Sequence, residues 1–302
     1  MKLKSLFAVV LSLALLSCGG EKGAINNKAC RIVCTTTMIW DAAQNLAPQG
    51  VEVFPLMKPG IDPHYFKPTL DDLALLRSAD VILFNGLELE GKMTDILQKL
   101  GGDKIVSAVS EGFAPESYLR HGSAIDPHVW FDPMLWSQSV QNIATTLSKA
   151  LPNDAVAIDE RLKVFQDSLN KIHNWTIEQL NTIPEGNKIM FTSHDAFSYF
   201  SRAYSFRVKG LQGITTTAEF GLRDVTNMVD SIIKLKIPAV FTEQSVPPKY
   251  IEAVVEGCRQ RGYSVNLGGE LFSDSLGEAD TEEGTYLGTV RSNVNLIVRA
   301  LK

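Results

Sequence analysis

Positive charge is scarce in this chain: 29 Lys and Arg stand against 34 Asp and Glu, a net charge of −5. No basic patch for nucleic acid is evident, which removes that class of partner. Apolar runs are short, and the one at 6–16 cannot span a bilayer core of about 30 Å. Cysteine is rare as well, four in all, and beyond Cys18 only Cys30, Cys34 and Cys258 remain, an odd number. Cys30 and Cys34 fall in one expected strand, four residues and about 13 Å apart, too far to bridge; a bond from either to Cys258 stays open. Histidine is sparse too, five in the chain, and no His-Glu-x-x-His signature of a helical zinc protease occurs. Low-complexity segments and residue-level repeats are missing. What remains, 45% hydrophobic and 21% charged over 302 residues, is an ordinary globular composition with length enough for two domains.

Lys2 and Lys4 precede the apolar run and small residues follow it, the layout of a secretory signal. Leu15-Leu16-Ser17-Cys18-Gly19 has the form of a bacterial lipobox, which makes 1–17 a signal peptide and Cys18 the lipidated first residue of the mature chain. Small, polar and charged residues up to 27 then form a tether. Removing 1–17 takes away two lysines and no acid, so the net charge falls from −5 to −7.

From residue 28 short apolar runs take turns with amphipathic stretches. Strands are expected at 31–34, 51–56, 81–84 and 104–109, with helices at 38–46, after Thr69, and at 92–100. The same grammar returns later, with strands at 188–191, 206–209, 239–242 and 264–267 and helices at 196–203, 223–236, 249–261 and 287–301. Such alternation predicts an α/β fold of parallel strands with right-handed crossovers, covered on both faces. Between the two halves Ile158, Leu162, Phe165, Leu169, Ile172, Trp175, Leu180 and Ile183 recur at steps of three and four, one stripe of a long helix over 153–183. Asn153 and Asp154 are positioned to cap it and Pro184 to stop it. The expected organisation is an N-terminal lobe at 28–152, a linking helix, and a C-terminal lobe at 184–302.

Three histidines, His64, His128 and His194, sit where loops leave expected strands or just before helices, and in open α/β sheets such loops converge on one crevice. Asp-Pro-His occurs twice, at 62–64 and 126–128. Each proline stiffens a turn that aims the following imidazole, and each aspartate is placed to accept the ring N–H. Asp274, in a glycine-flanked loop after the last expected strand, is the favoured carboxylate. Three imidazoles and one carboxylate form an N3O set for zinc at about 2.0–2.2 Å, or for manganese with a bidentate carboxylate. Glu243, at a strand end, either lines the cleft or supports a ligand. His173 reads as structural and His121 as solvent-exposed.

These residues belong to longer motifs: Thr35-Thr36-Thr37-Met38-Ile39-Trp40, Gly60-Ile61-Asp62-Pro63-His64, Asn85-Gly86-Leu87-Glu88-Leu89-Glu90 and Asp126-Pro127-His128-Val129-Trp130-Phe131-Asp132-Pro133. His194-Asp195-Ala196-Phe197-Ser198-Tyr199-Phe200, Phe241-Thr242-Glu243 and Asp274-Ser275-Leu276-Gly277 complete the series. In that order they resemble the zinc/manganese solute-binding receptors of bacterial ABC importers, within the helical-backbone metal receptor superfamily. The resemblance covers nearly everything after Cys18 and implies His64, His128, His194 and Asp274 as metal ligands. His194 stands where manganese-selective relatives often have glutamate, which leans toward zinc. The segment 111–126 has only His121 where many zinc relatives carry a His-rich acidic loop, which leans away from it. Thr217-Ala218-Glu219-Phe220-Gly221 departs from the family's proline-containing turn.

The resemblance therefore implies a lipid-anchored extracytoplasmic receptor, a monomer and not an enzyme, that captures Zn2+ or Mn2+ between two lobes and hands it to an ABC permease. Two alternatives stand beside it. One is a secreted zinc hydrolase with Glu243 or Asp195 as base; the other is a surface adhesin with a structural metal.

Overall fold

The computed structural model of the protein describes residues 30–302 except 103, 218 and 219. The expected signal peptide, the tether and Cys18 lie outside the described residues, as do Ala218 and Glu219 of the atypical turn. The N-terminal lobe contains β1 (Arg31–Cys34), α1 (Thr37–Leu46), β2 (Glu52–Pro55), α2 (Leu70–Ser78), β3 (Val81–Phe84), α3 (Thr94–Leu100) and β4 (Ile105–Ala108). Its strands pair in the order β2-β1-β3-β4, all parallel. The apolar runs explain the order: Ile32, Val33, Val81, Ile82 and Leu83 are fully buried, and they fill the central pair. Thr69 caps α2 in a reciprocal capping box with Asp72.

A short antiparallel hairpin follows, β5 (Arg120–His121) with β6 (Ala124–Ile125), and then α4 (Pro133–Ala150). The sequence reading assigned no element there. The helix is nonetheless well signalled: Pro133 opens it, and Asp132 Oδ1 accepts the N–H of Met134 and Leu135 at 3.0 and 3.3 Å. Trp136, Val140, Ile143 and Leu147 bury its inner face.

The long helix α5 spans Ala155–Leu180, 26 residues, or about 39 Å at about 1.5 Å per residue. Its start corrects one expectation. Residues 152–154 form a separate single turn, and Asp154 at the N-cap position makes no side-chain cap hydrogen bond. The stripe itself is buried as spaced: Ile158 to Leu169 belong to the core of the N-terminal lobe, and Leu180 to that of the C-terminal lobe.

The C-terminal lobe contains β7 (Ile189–His194), α6 (Ser198–Tyr204), β8 (Arg207–Gln212), α7 (Leu222–Leu235), β9 (Ala239–Glu243), α8 (Lys249–Gln260), β10 (Asn266–Leu271) and α9 (Tyr286–Leu301). β7 pairs with β8 and β9 with β10, both in parallel, and β7 lies beside β9. A second crossing was not anticipated. α9 ends in the C-terminal core, but its first residue, Tyr286, packs in the N-terminal one against Trp136, ring centroids 5.8 Å apart. Tyr286 also donates its hydroxyl to Trp130 O at 2.7 Å and its backbone N–H to Asp41 Oδ2 at 3.1 Å. Cys30, Cys34 and Cys258 are buried free thiols, so neither of the first two is joined to Cys258.

Candidate metal centre

Each histidine and the aspartate reaches the interlobe crevice from the carboxyl side of a strand. His64 lies on the loop after β2, His128 after the β5–β6 hairpin, His194 is the last residue of β7, and Asp274 stands three positions beyond β10. Ligand sites in open α/β sheets collect at these ends because the crossover loops diverge there. Among the described residues these four form a group whose ligand atoms all lie within 4.8 Å of one another. They are 4, 0, 0 and 1% exposed.

Two carboxylates orient two of the rings. Asp126 Oδ1 lies 2.7 Å from His128 Nδ1 and accepts that residue's backbone N–H at 3.0 Å. Glu243 Oε2 lies 2.5 Å from His194 Nδ1, while its Oε1 accepts the His194 N–H at 2.8 Å. With Nδ1 carrying its proton toward a carboxylate, Nε2 is the nitrogen left facing inward, and once it has lost any proton of its own it offers a lone pair there. Those nitrogens are crowded: His128 Nε2 is 3.3 Å from His64 Nε2, 3.4 Å from His194 Nε2 and 3.5 Å from Asp274 Oδ1. His194 Nε2 is 3.5 Å from Asp274 Oδ2. A cation between them would be met by every one of these atoms. Donors at about 2.0–2.1 Å in a tetrahedron are separated by about 3.3 Å, close to the spacing seen. Asp274 Oδ1 is buried without a hydrogen-bond partner, and Ser245 Oγ donates to its Oδ2 at 3.0 Å.

Charge is distributed unevenly over the rings. Burial pushes His64 down to about 3, with His128 and His194 adding to the effect, so it is neutral at any ordinary pH. Burial would lower His194 too, but Glu243 and then Asp274 outweigh it and hold the imidazole well above its usual value. Asp274 is buried, which favours its neutral form, yet His194 and the other two imidazoles hold it well below the usual carboxylate range.

All four residues expected to meet from the sequence are thus brought together. The two Asp-Pro-His turns do not act alike. Asp126 takes the ring proton of His128 as anticipated, whereas Asp62 gives Oδ1 to the His64 backbone N–H at 2.8 Å and Oδ2 to the Thr216 hydroxyl at 2.6 Å. Glu243 supports a ring rather than lining the cleft. His173 Nδ1 pairs with Tyr204 Oη at 3.2 Å, a structural contact. His121 is exposed as read, with Nε2 4.0 Å from Asp126 Oδ2 and Nδ1 3.8 Å from Asp195 Oδ2. Ser245 and Thr216 were missed; neither lies in a motif, and each meets its partner through tertiary folding. Gly210 was missed also. A Cβ there would strike the backbone of His194 and Asp195, so only glycine lets β8 pass so close to the turn that presents His194.

The family model described as ZnuA, zinc-uptake complex component A, periplasmic, matches residues 32–300. The manganese-binding lipoprotein MntA of Bacillus subtilis is 43% identical over 304 residues, covering 99% of this chain and 99% of that protein. The zinc-binding protein TroA of Treponema pallidum is 42% identical over 299 residues, 97% of each. The solved structure of that periplasmic zinc-binding protein superposes with a TM-score of 0.88 at 42% identity, covering 90% of this chain and 99% of the other.

Proposed function

The chain belongs to the family of the periplasmic component A of zinc-uptake complexes, and from that premise we propose that it is the extracytoplasmic receptor of an ABC metal importer. It captures Zn2+ or Mn2+ in the crevice between its lobes and delivers the ion to a membrane permease. His64, His128, His194 and Asp274 are the ligands. The observation that carries this is the inward convergence of the three imidazoles and Asp274 on one buried point, with His128 Nε2 3.3–3.5 Å from the other three side chains, the spacing of donors around one small cation. The lobes divide at α5, with 28–152 before it and 184–302 after it. Cys18 carries the lipid that holds the mature monomer at the membrane; among the described residues no helix is long and apolar enough to cross one.

Four protein donors leave no coordination position for an activated water, which suits capture and transfer rather than hydrolysis. Glu243, a base in the hydrolase reading, is engaged with His194 through both oxygens. Relatives matched over their whole length are named for both manganese and zinc, and N/O donors bind zinc more tightly than manganese whatever the biological cargo.

Elemental analysis of the mature protein, followed by competitive titration with zinc and manganese, tests this reading. One ion per chain is expected, lost in His128→Ala. In His194→Glu an oxygen replaces a nitrogen donor, and the preference shifts toward manganese. Stoichiometric metal that persists in His128→Ala would place the ion elsewhere and defeat the assignment.

A further inference from the structure

Three of the four proposed ligands are steadied from within their own lobe: His128 by Asp126, His194 by Glu243 and Asp274 by Ser245. His64 is held differently. Asp62 clasps its backbone N–H with one oxygen and reaches across the crevice with the other, to the hydroxyl of Thr216 between β8 and α7. One more tie leaves the same loop for the other lobe, Gly60 N–H to Ser275 Oγ at 2.8 Å. At the crest of the loop Ile61 and Tyr65 are 39 and 49% exposed, while Leu56, Met57 and Phe66 anchor its ends on the core of the N-terminal lobe. A cleft of about 450 Å³, lined by Asp62, Tyr65, Gln212, Thr216, Phe220 and Tyr250, borders this contact.

The lobes themselves are poorly placed to part. α5 and α9 both run between the cores, and Trp130 Nε1 to Ser273 O at 2.8 Å and Leu276 N–H to Thr37 Oγ1 at 2.7 Å stitch them further. Bending a continuous helix costs its packing and hydrogen bonds. Movement therefore falls to the exposed crest of the loop that carries His64 rather than to the lobes as bodies.

We propose, resting on the metal-receptor reading above, that the Asp62–Thr216 hydrogen bond is a latch that sets the rate at which the ion leaves. Thr216 is a positioning residue: it acts on the ion through Asp62 and His64 and touches no metal. While its hydroxyl holds the Asp62 carboxylate, the His64 loop is tied to both lobes and the ion keeps four donors. When that bond opens, the loop swings outward with His64, three donors remain, and the ion escapes through the adjoining cleft. The bond is charge-assisted, a hydroxyl on a carboxylate, and part-buried, with Thr216 itself 6% exposed, which strengthens it over a bond in open water.

Thr216→Val keeps the side-chain shape and removes the donor, whereas Thr216→Ser keeps the donor. The mature protein, loaded with one equivalent of zinc or manganese, is mixed with excess chelator and release is followed by stopped flow. Release from Thr216→Val is expected to be about tenfold faster than from the parent, equivalent to about 1.4 kcal/mol. Thr216→Ser should release at the parental rate and keep the parental metal-free melting temperature. Parental release from Thr216→Val overturns the latch, as does equal acceleration in Thr216→Ser. If the parent binds neither metal, the receptor reading falls first and the latch with it, an outcome separable from loss of the latch alone.

Discussion

Glu243 and His194 are locked twice over: one carboxylate oxygen sits 2.5 Å from the ring Nδ1 and the other takes the backbone N–H of the same residue at 2.8 Å. Strand β9 ends on Glu243 and strand β7 ends on His194, so two neighbouring strands deliver the pair to each other. The first contact restrains the ring and the second fixes the backbone that carries it.

Glu243→Gln should therefore weaken metal binding while leaving all four ligands in place. Loss of a carboxylate that orients a ligating imidazole typically lowers affinity about 10–100-fold. Competition against a chromogenic chelator at fixed pH measures it. Parental affinity in the variant would show that β7 alone fixes the ring.

Metal binding should release protons, and His194 supplies the reason. Burial disfavours its charge, but Glu243 and Asp274 raise its pKa well above the usual value, so the metal-free ring is charged at neutral pH. The ion must displace that proton. His64, pushed down to about 3, contributes none. The sign follows: apparent affinity climbs by about tenfold per pH unit while pH stays below the raised pKa, and flattens above it. Calorimetric titration in two buffers of different ionisation enthalpy counts about one proton from this ring, and Glu243→Gln should reduce that count.

Gly210→Ala tests the close passage of β8 past His194. The added methyl meets the His194 carbonyl carbon and the Asp195 nitrogen, backbone atoms that cannot rotate aside. Overpacking of this kind costs about 1–3 kcal/mol, expected here as a lower urea midpoint in the metal-free protein. Zinc affinity should fall in parallel, since the displaced atoms carry a ligand. Unchanged affinity with reduced stability would mean that the strand yields and the site does not.

Much of the centre was legible because its chemistry is concentrated in short words. Asp126-Pro127-His128 puts a proton acceptor two residues from the ring it serves, within reach of any tight turn. Asp62-Pro63-His64 has the same letters and a different wiring, because Asp62 finds Thr216, 154 positions away, and the local pattern holds no record of that meeting. α5 was legible through its apolar stripe, whereas α4 went unread even though Asp132 and Pro133 mark its start. The crossing of α9 had no local sign at all: Tyr286 looks like an ordinary core aromatic until Trp136 and Asp41 are seen around it.

By itself the sequence determined the alternation of strand and helix, the brace between the lobes and the choice of four side chains that the fold brings together, since periodicity and turn chemistry act over a few residues. Only the tertiary structure decided which carboxylate turns which ring, how near the four donors approach, and that the loop bearing His64 is tied to the opposite lobe. Those outcomes depend on distances between segments far apart in the chain, and such distances are set by how the sheets and helices pack.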